Sequence, residues 1–181
     1  METANFSLHY SDEIDVPAKP DAVFEFLDDF ARLGEHMMHA NWMMAGSRMT
    51  YEFDALRGRS LGSVVRLRGS MLGLDLRIDE VVSAYAPPHR KAWSTIGSPR
   101  LVVMSGYRMG FQIEPAGPGS HVRIFIDYAL PTSGTGRWLG RMFAHAYARW
   151  CVRSMSAAMS AQFGTPLRSR DDRSPTQEQS T

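Results

Sequence analysis

Along the chain the spacing of apolar positions changes from two to about 3.6, back to two, and finally to 3.6 again. Phe6, Leu8, Tyr10 and Ile14 occupy even positions of one run, the alternation of a strand with one buried face. Pro17 and Pro20 end it, and Pro20-Asp21 suits the first turn of a helix, where a missing N–H costs nothing. Val23, Phe24, Leu27 and Phe30 then predict a short helix, with a second short helical piece over residues 33–39. From Arg48 the period is two once more. Met49, Tyr51 and Phe53 alternate with Thr50, Glu52 and Asp54; after Arg57-Gly58-Arg59-Ser60, Val65 and Leu67 alternate with Arg66 and Arg68. Leu74, Leu76 and Ile78 alternate with Asp75, Arg77 and Asp79, so arginines on one outer row face aspartates on the next. Pro87-Pro88 breaks the run, and residues 91–97 read as a fifth strand carrying Trp93. Gly97-Ser98-Pro99-Arg100 reads as a turn into a long strand with Val103, Tyr107, Met109, Phe111 and Ile113 on one side. After the Pro115–Gly119 turn, Val122, Ile124, Ile126 and Tyr128 point inward from a last strand, with His121, Arg123 and Asp127 outward.

Residues 136–163 form the longest patterned segment. Leu139, Met142, Phe143, Ala146, Trp150, Ser154, Ala157 and Ala158 recur at three- and four-residue spacing, which predicts a helix roughly 40 Å long with these residues on its buried face. Arg137, Arg141, His145, Arg149 and Arg153 follow at four-residue steps along another face, and no acidic residue lies among them. The plain reading is a solvated stripe whose arginines pair with carboxylates elsewhere; the sharper one is an anionic ligand or membrane surface met through Arg137, Arg141, Arg149 and Arg153.

One strand, two short helices, six more strands joined by tight turns and one long helix predict an α+β domain. Its sheet would be seven-stranded, antiparallel and curved, apolar on one face and wrapped around the long C-terminal helix. Residues 1–164 make up this domain. Residues 165–181 hold charged, Ser, Thr and Gln residues with almost nothing apolar, so they read as a disordered polar tail. The net charge of +1 gives no overall pull toward nucleic acid. No run of apolar residues is long enough for a transmembrane helix. The polar, acidic start lacks a signal pattern and Cys151 is the single cysteine, which together point to a reducing cytoplasm.

This order of elements resembles the START-like, or SRPBCC, superfamily, the polyketide cyclase/dehydrase and lipid-transport group. The resemblance covers about residues 6–163. It rests on Ile14-Asp15-Val16-Pro17-Ala18 leading into Ala22-Val23-Phe24-Glu25-Phe26-Leu27-Asp28, on Ala86-Pro87-Pro88-His89-Arg90, on the strand count and on the terminal helix. It implies a helix-grip fold enclosing a cavity between sheet and helix that takes lipids, sterols, polyketides or other apolar molecules. Some members are enzymes and many only bind or carry, so the fold does not choose between them.

The most unusual local composition is residues 35–44, with four methionines, two histidines and a tryptophan where the resemblance places the lip of the cavity. Methionine suits a pocket that accepts several ligand shapes, and equally caps the end of a core. His36 and His39 share a helical face and are candidates for acid–base work near neutral pH. No third ligand completes a metal site, and no nucleophile elbow, P-loop or dinucleotide fingerprint is present, so neither metal nor cofactor is expected. Tyr51, Tyr107 and Tyr128 alternate onto the inner face beside Trp93. A tyrosine hydroxyl there would orient a ligand carbonyl or polarise it toward an enolate; otherwise it is a core residue bonded to backbone.

Two functions remain open. The first is binding or carriage of a small apolar, lipid-like or polyketide-like molecule. Its expected lining is Met37, Trp42, Met49, Tyr51, Phe53, Trp93, Tyr107, Met109, Phe111 and Tyr128, with Met142 and Met155 from the helix. The second is a cyclase-, dehydrase- or isomerase-type enzyme with His36, His39 and Tyr107 as the acid–base candidates.

Overall fold

The computed structural model describes residues 6–30, 48–71, 74–101, 103–131 and 134–164. Strand β1 (Leu8–Val16) is followed by helix α1 (Pro20–Asp28), then β2 (Arg48–Phe53), β3 (Val64–Met71), β4 (Leu74–Ala86), β5 (Arg90–Arg100), β6 (Gly106–Ala116), β7 (Gly119–Ala129) and helix α2 (Gly134–Phe163). All seven strands form one curved antiparallel sheet in the order β1-β7-β6-β5-β4-β3-β2. This is the α+β helix-grip arrangement. The first strand closes one edge beside the last, and β2 forms the other edge. The short helix expected over residues 33–39 and the tail over 165–181 lie outside the described residues.

Burial follows the period-two pattern because one face of the sheet is covered. Val65, Leu67, Leu76, Ile78, Val82, Trp93, Met109, Phe111, Ile113, Val122, Ile124, Ile126 and Tyr128 are all buried. On the outer face, Arg66 stands opposite Asp79, and Arg68 reaches Asp79 diagonally at 2.5 Å. The β2–β3 connection is fixed by Asp54. Its carboxylate accepts hydrogen bonds from the Ser63 hydroxyl at 2.6 Å and the Val64 amide at 2.9 Å. Those bonds, Ser63 foremost, hold the Asp54 pKa below its ordinary value. Gly58 sits in the same turn at φ 74°, and a Cβ there would meet the Phe30 ring at 2.7 Å. Only glycine fits.

One turn is not where the sequence pattern suggests. Gly97-Ser98-Pro99-Arg100 belongs to β5, which runs on to Arg100. Gly97 takes φ 69°, and the register with β4 shifts between Asp79–Ile96 and Arg77–Arg100. The glycine therefore marks an irregularity within the strand rather than its end.

The helix phase also needs correction. The buried face of α2 is Ala144, Ala148, Cys151, Val152, Met155, Ser156, Ala158 and Met159. Met142 and Phe143 are 53% and 47% exposed, Ala146 and Ala157 are exposed, and Trp150 is half-buried. The reason is room. The backbone of α2 lies close to β1 and β7, where Tyr10 packs edge-on against His145 at 5.7 Å and Ser156 bonds Asp12 at 2.9 Å. Set this close, the helix turns Ala144, Ala148, Ser156 and Ala158 inward alongside Val152, Met155 and Met159, and sends Met142 and Phe143 outward. Arg141, Arg149 and Arg153 are exposed. They form no ion pair among the described residues.

Candidate functional site

The register sets one row of residues across the inner face. Phe53 pairs with Val65, Val65 with Glu80, Glu80 with Thr95, Tyr107 with Tyr128 and Tyr128 with Leu8. Thr95 joins the two halves: its hydroxyl accepts from the Tyr107 amide at 3.1 Å and lies 3.3 Å from the Tyr107 carbonyl. In the middle of this otherwise apolar row stands a carboxyl group. Glu80 is 4% exposed, and the Tyr107 hydroxyl donates to its Oε1.

Burial raises the pKa of Glu80 to about 7; the Tyr107 hydrogen bond and the charge of Lys91 act the other way and are outweighed. Tyr107 is itself pushed well above the ordinary tyrosine value, by burial first and then by Glu80. Two more elements bring groups within the field of Glu80. From β2, Tyr51 stacks on Phe53 at 6.1 Å, and burial, then Glu80, raise it to about 12. From α2, Tyr147 and Cys151 lie one turn apart; Tyr147 is raised well above the ordinary tyrosine value, by Cys151 first and then by burial, and Cys151 is raised to about 12, chiefly by burial. Four elements thus converge on one proton-bearing cluster beneath the helix.

A second buried polar group has a structural role. Lys91 is fully buried and its ammonium contacts Asp28 Oδ1 at 2.5 Å and the Asp28 carbonyl at 3.1 Å, with the Phe30 ring centre 4.0 Å away. The Tyr85 hydroxyl donates to Asp28 Oδ2 at 3.1 Å. Burial lowers the Lys91 pKa against the opposing pull of Asp28. This knot ties the end of α1 to β5.

Several residues expected at the site are brought to the inner face: Tyr51, Phe53, Trp93, Tyr107, Met109, Phe111, Tyr128 and Met155. Tyr128 is fully buried, with its hydroxyl 3.4 Å from His145 Nδ1. Met142 is not among them, because the helix turns it to solvent. Met49 lies in β2 opposite Gly69. His36, Met37, His39 and Trp42 fall outside the described residues. Pattern reading passed over Glu80 and Tyr147. Glu80 continues the inward phase of Leu74, Leu76 and Ile78, so the alternation carried the signal for a carboxylate facing the core. Among the described residues no cluster of three His, Cys, Asp or Glu side chains forms a metal site, and no helix is long and apolar enough to cross a membrane.

The family described as polyketide cyclase/dehydrase and lipid transport matches residues 7–162. Comparison with curated proteins gives no match. Among solved structures, a protein from Thermus thermophilus is similar at 16% identity and TM-score 0.59, over 86% of this chain and 99% of its own. A protein from Arthrobacter aurescens is 13% identical with TM-score 0.58, over 92% of each chain. The major latex-like protein 151 of Panax ginseng is 13% identical with TM-score 0.54, over 88% of this chain and 99% of its own. At such identities the likeness is one of fold.

Proposed function

This chain belongs to the polyketide cyclase/dehydrase and lipid transport family, and on that premise we propose that it binds a small apolar molecule, lipid-like or polyketide-like, between sheet and α2. One observation carries the reading. Among the described residues the backbone of α2 runs closest to β1 and β7 and that of α1 closest to β6 and β7, and toward β2 to β5 it is side chains that reach across, as Lys91 of β5 does to Asp28. The inner face there presents Tyr51, Phe53, Leu67, Glu80 and Trp93. Large flat side chains with sparse polar tips are what an apolar pocket uses, and a pocket of ligand size occupies on the order of 300–1,000 Å³. Native mass spectrometry of the protein purified from its own host tests this. The expected result is a bound apolar molecule that organic extraction removes; protein that never carries one, and takes up no apolar probe, would contradict it.

A second reading, a cyclase-, dehydrase- or isomerase-type enzyme, is favoured by the Tyr107–Glu80 contact. A carboxyl group titrating at about 7 against a tyrosine hydroxyl has the protonation range that general acid–base catalysis uses. In that reading Tyr107 keeps the acid–base role expected of it, and Glu80 takes the one otherwise expected of His36 or His39. Glu80→Gln should then abolish turnover of the recovered molecule even when that molecule is supplied at saturation.

A further inference from the structure

The electrical character of the Glu80 cluster narrows the chemistry of the ligand, and this step rests on the binding reading above. The titratable groups that face one another here are Tyr51 from β2, Glu80 from β4, Tyr107 from β6, and Tyr147 and Cys151 from α2. Each is an acid, neutral or negative and never positive. Among the described residues, the one cation whose field reaches Glu80 is Lys91 of β5, and its ammonium is already held by Asp28. Tyr107 satisfies Glu80 Oε1. No described side chain is seen to donate to Oε2, and this oxygen is not one of the buried side-chain atoms without a partner, so it keeps a little surface of its own on the inner face. A carboxylate oxygen reachable on an otherwise apolar face favours a donor, so a ligand able to donate there gains more than its apolar contact area supplies.

An anionic head group would meet the carboxylate with no free basic side chain among the described residues facing Glu80 to hold it. An alcohol would supply one neutral hydrogen bond. An ammonium would supply both the missing donor and the missing positive charge, and the tyrosine rings around it attract cations through their quadrupoles. We propose that the ligand carries a protonated amine on an apolar body, and that its ammonium is bound by the Glu80 carboxylate among Tyr51, Tyr107 and Tyr147.

The test uses the full chain, a neutral apolar fluorescent probe (N-phenylnaphthylamine) and three competitors that differ only in their head: octylamine, octanol and octanoate. At about pH 8 octylamine should displace the probe at a concentration at least about tenfold below octanol, with octanoate weakest. The amine preference should fade as pH drops through about 7, where Glu80 takes up a proton of its own. Glu80→Gln should bind amine and alcohol alike, and its retained probe binding shows that it is folded. If that variant does not fold, the pH profile of the unaltered protein decides. Octanol or octanoate matching octylamine at about pH 8 would overturn the amine inference and leave the binding reading standing, as would an amine preference that survives Glu80→Gln. Failure of the probe and all three competitors to bind would overturn both.

Discussion

A glutamate on the inner face of a sheet, with a tyrosine as its hydrogen-bond partner, leaves a signature in stability as well as in binding. Its ordinary pKa is 4.5, and in the folded chain it is about 7. The folded state therefore holds the proton more tightly. Below 4.5 both states are protonated and burial carries no ionisation penalty. Between 4.5 and about 7 stability falls as pH rises, and above that range the full penalty applies, on the order of 3 kcal/mol. Glu80→Gln should remove this slope. Urea unfolding at about pH 4 and about pH 8 should show the variant gaining on the parent at the higher pH. An unchanged difference between the two pH values would place the slope on other groups. Lys91 behaves differently, because its charge is answered by Asp28. Lys91→Met should cost about 3–5 kcal/mol by leaving Asp28 buried without its ammonium, and adding Asp28→Asn should recover part of that loss.

At the scale of elements, α2 decides how the interior is filled. Its inward face carries Ala144, Ala148 and Cys151, and its exposed face carries Met142 and Phe143. Phe143→Ser should therefore change stability by no more than about 0.5 kcal/mol. Ala148→Leu, at a fully buried position against β1 and β7, should cost about 1–3 kcal/mol through overpacking. Equal effects in thermal or urea unfolding would return the helix to the phase that its large residues suggest. The strands were legible from sequence because a one-sided sheet enforces strict alternation. The helix existed in the pattern, but its rotation did not. Met142, Phe143 and Trp150 outweigh alanines in any apolar tally, although the close approach to β1 and β7 favours the alanines. Glu80 was legible in position and missed in kind, since a search for apolar alternation skips a charged residue on the apolar phase. Gly97 looked like a turn because a positive-φ glycine serves a turn and a strand irregularity equally well.

For the whole molecule, the sheet and α2 enclose an inner face that is aromatic and methionine-rich, with one proton-bearing cluster. Arg141, Arg149 and Arg153 of α2 lie outside this space, exposed to solvent. The proposed apolar ligand enters between sheet and helix beside Glu80. Three described methionines report on it directly: Met109 and Met155 are 6% and 2% exposed on the inner side, and Met142 is 53% exposed on the outer side. The decisive measurement is methyl NMR of protein labelled at its methionine methyl groups and titrated to saturation with octanol or octylamine. Shift changes and ligand contacts are expected at Met109 and Met155, with Met142 unmoved. Contacts confined to Met142, or none at Met109 and Met155 at saturation, would contradict it.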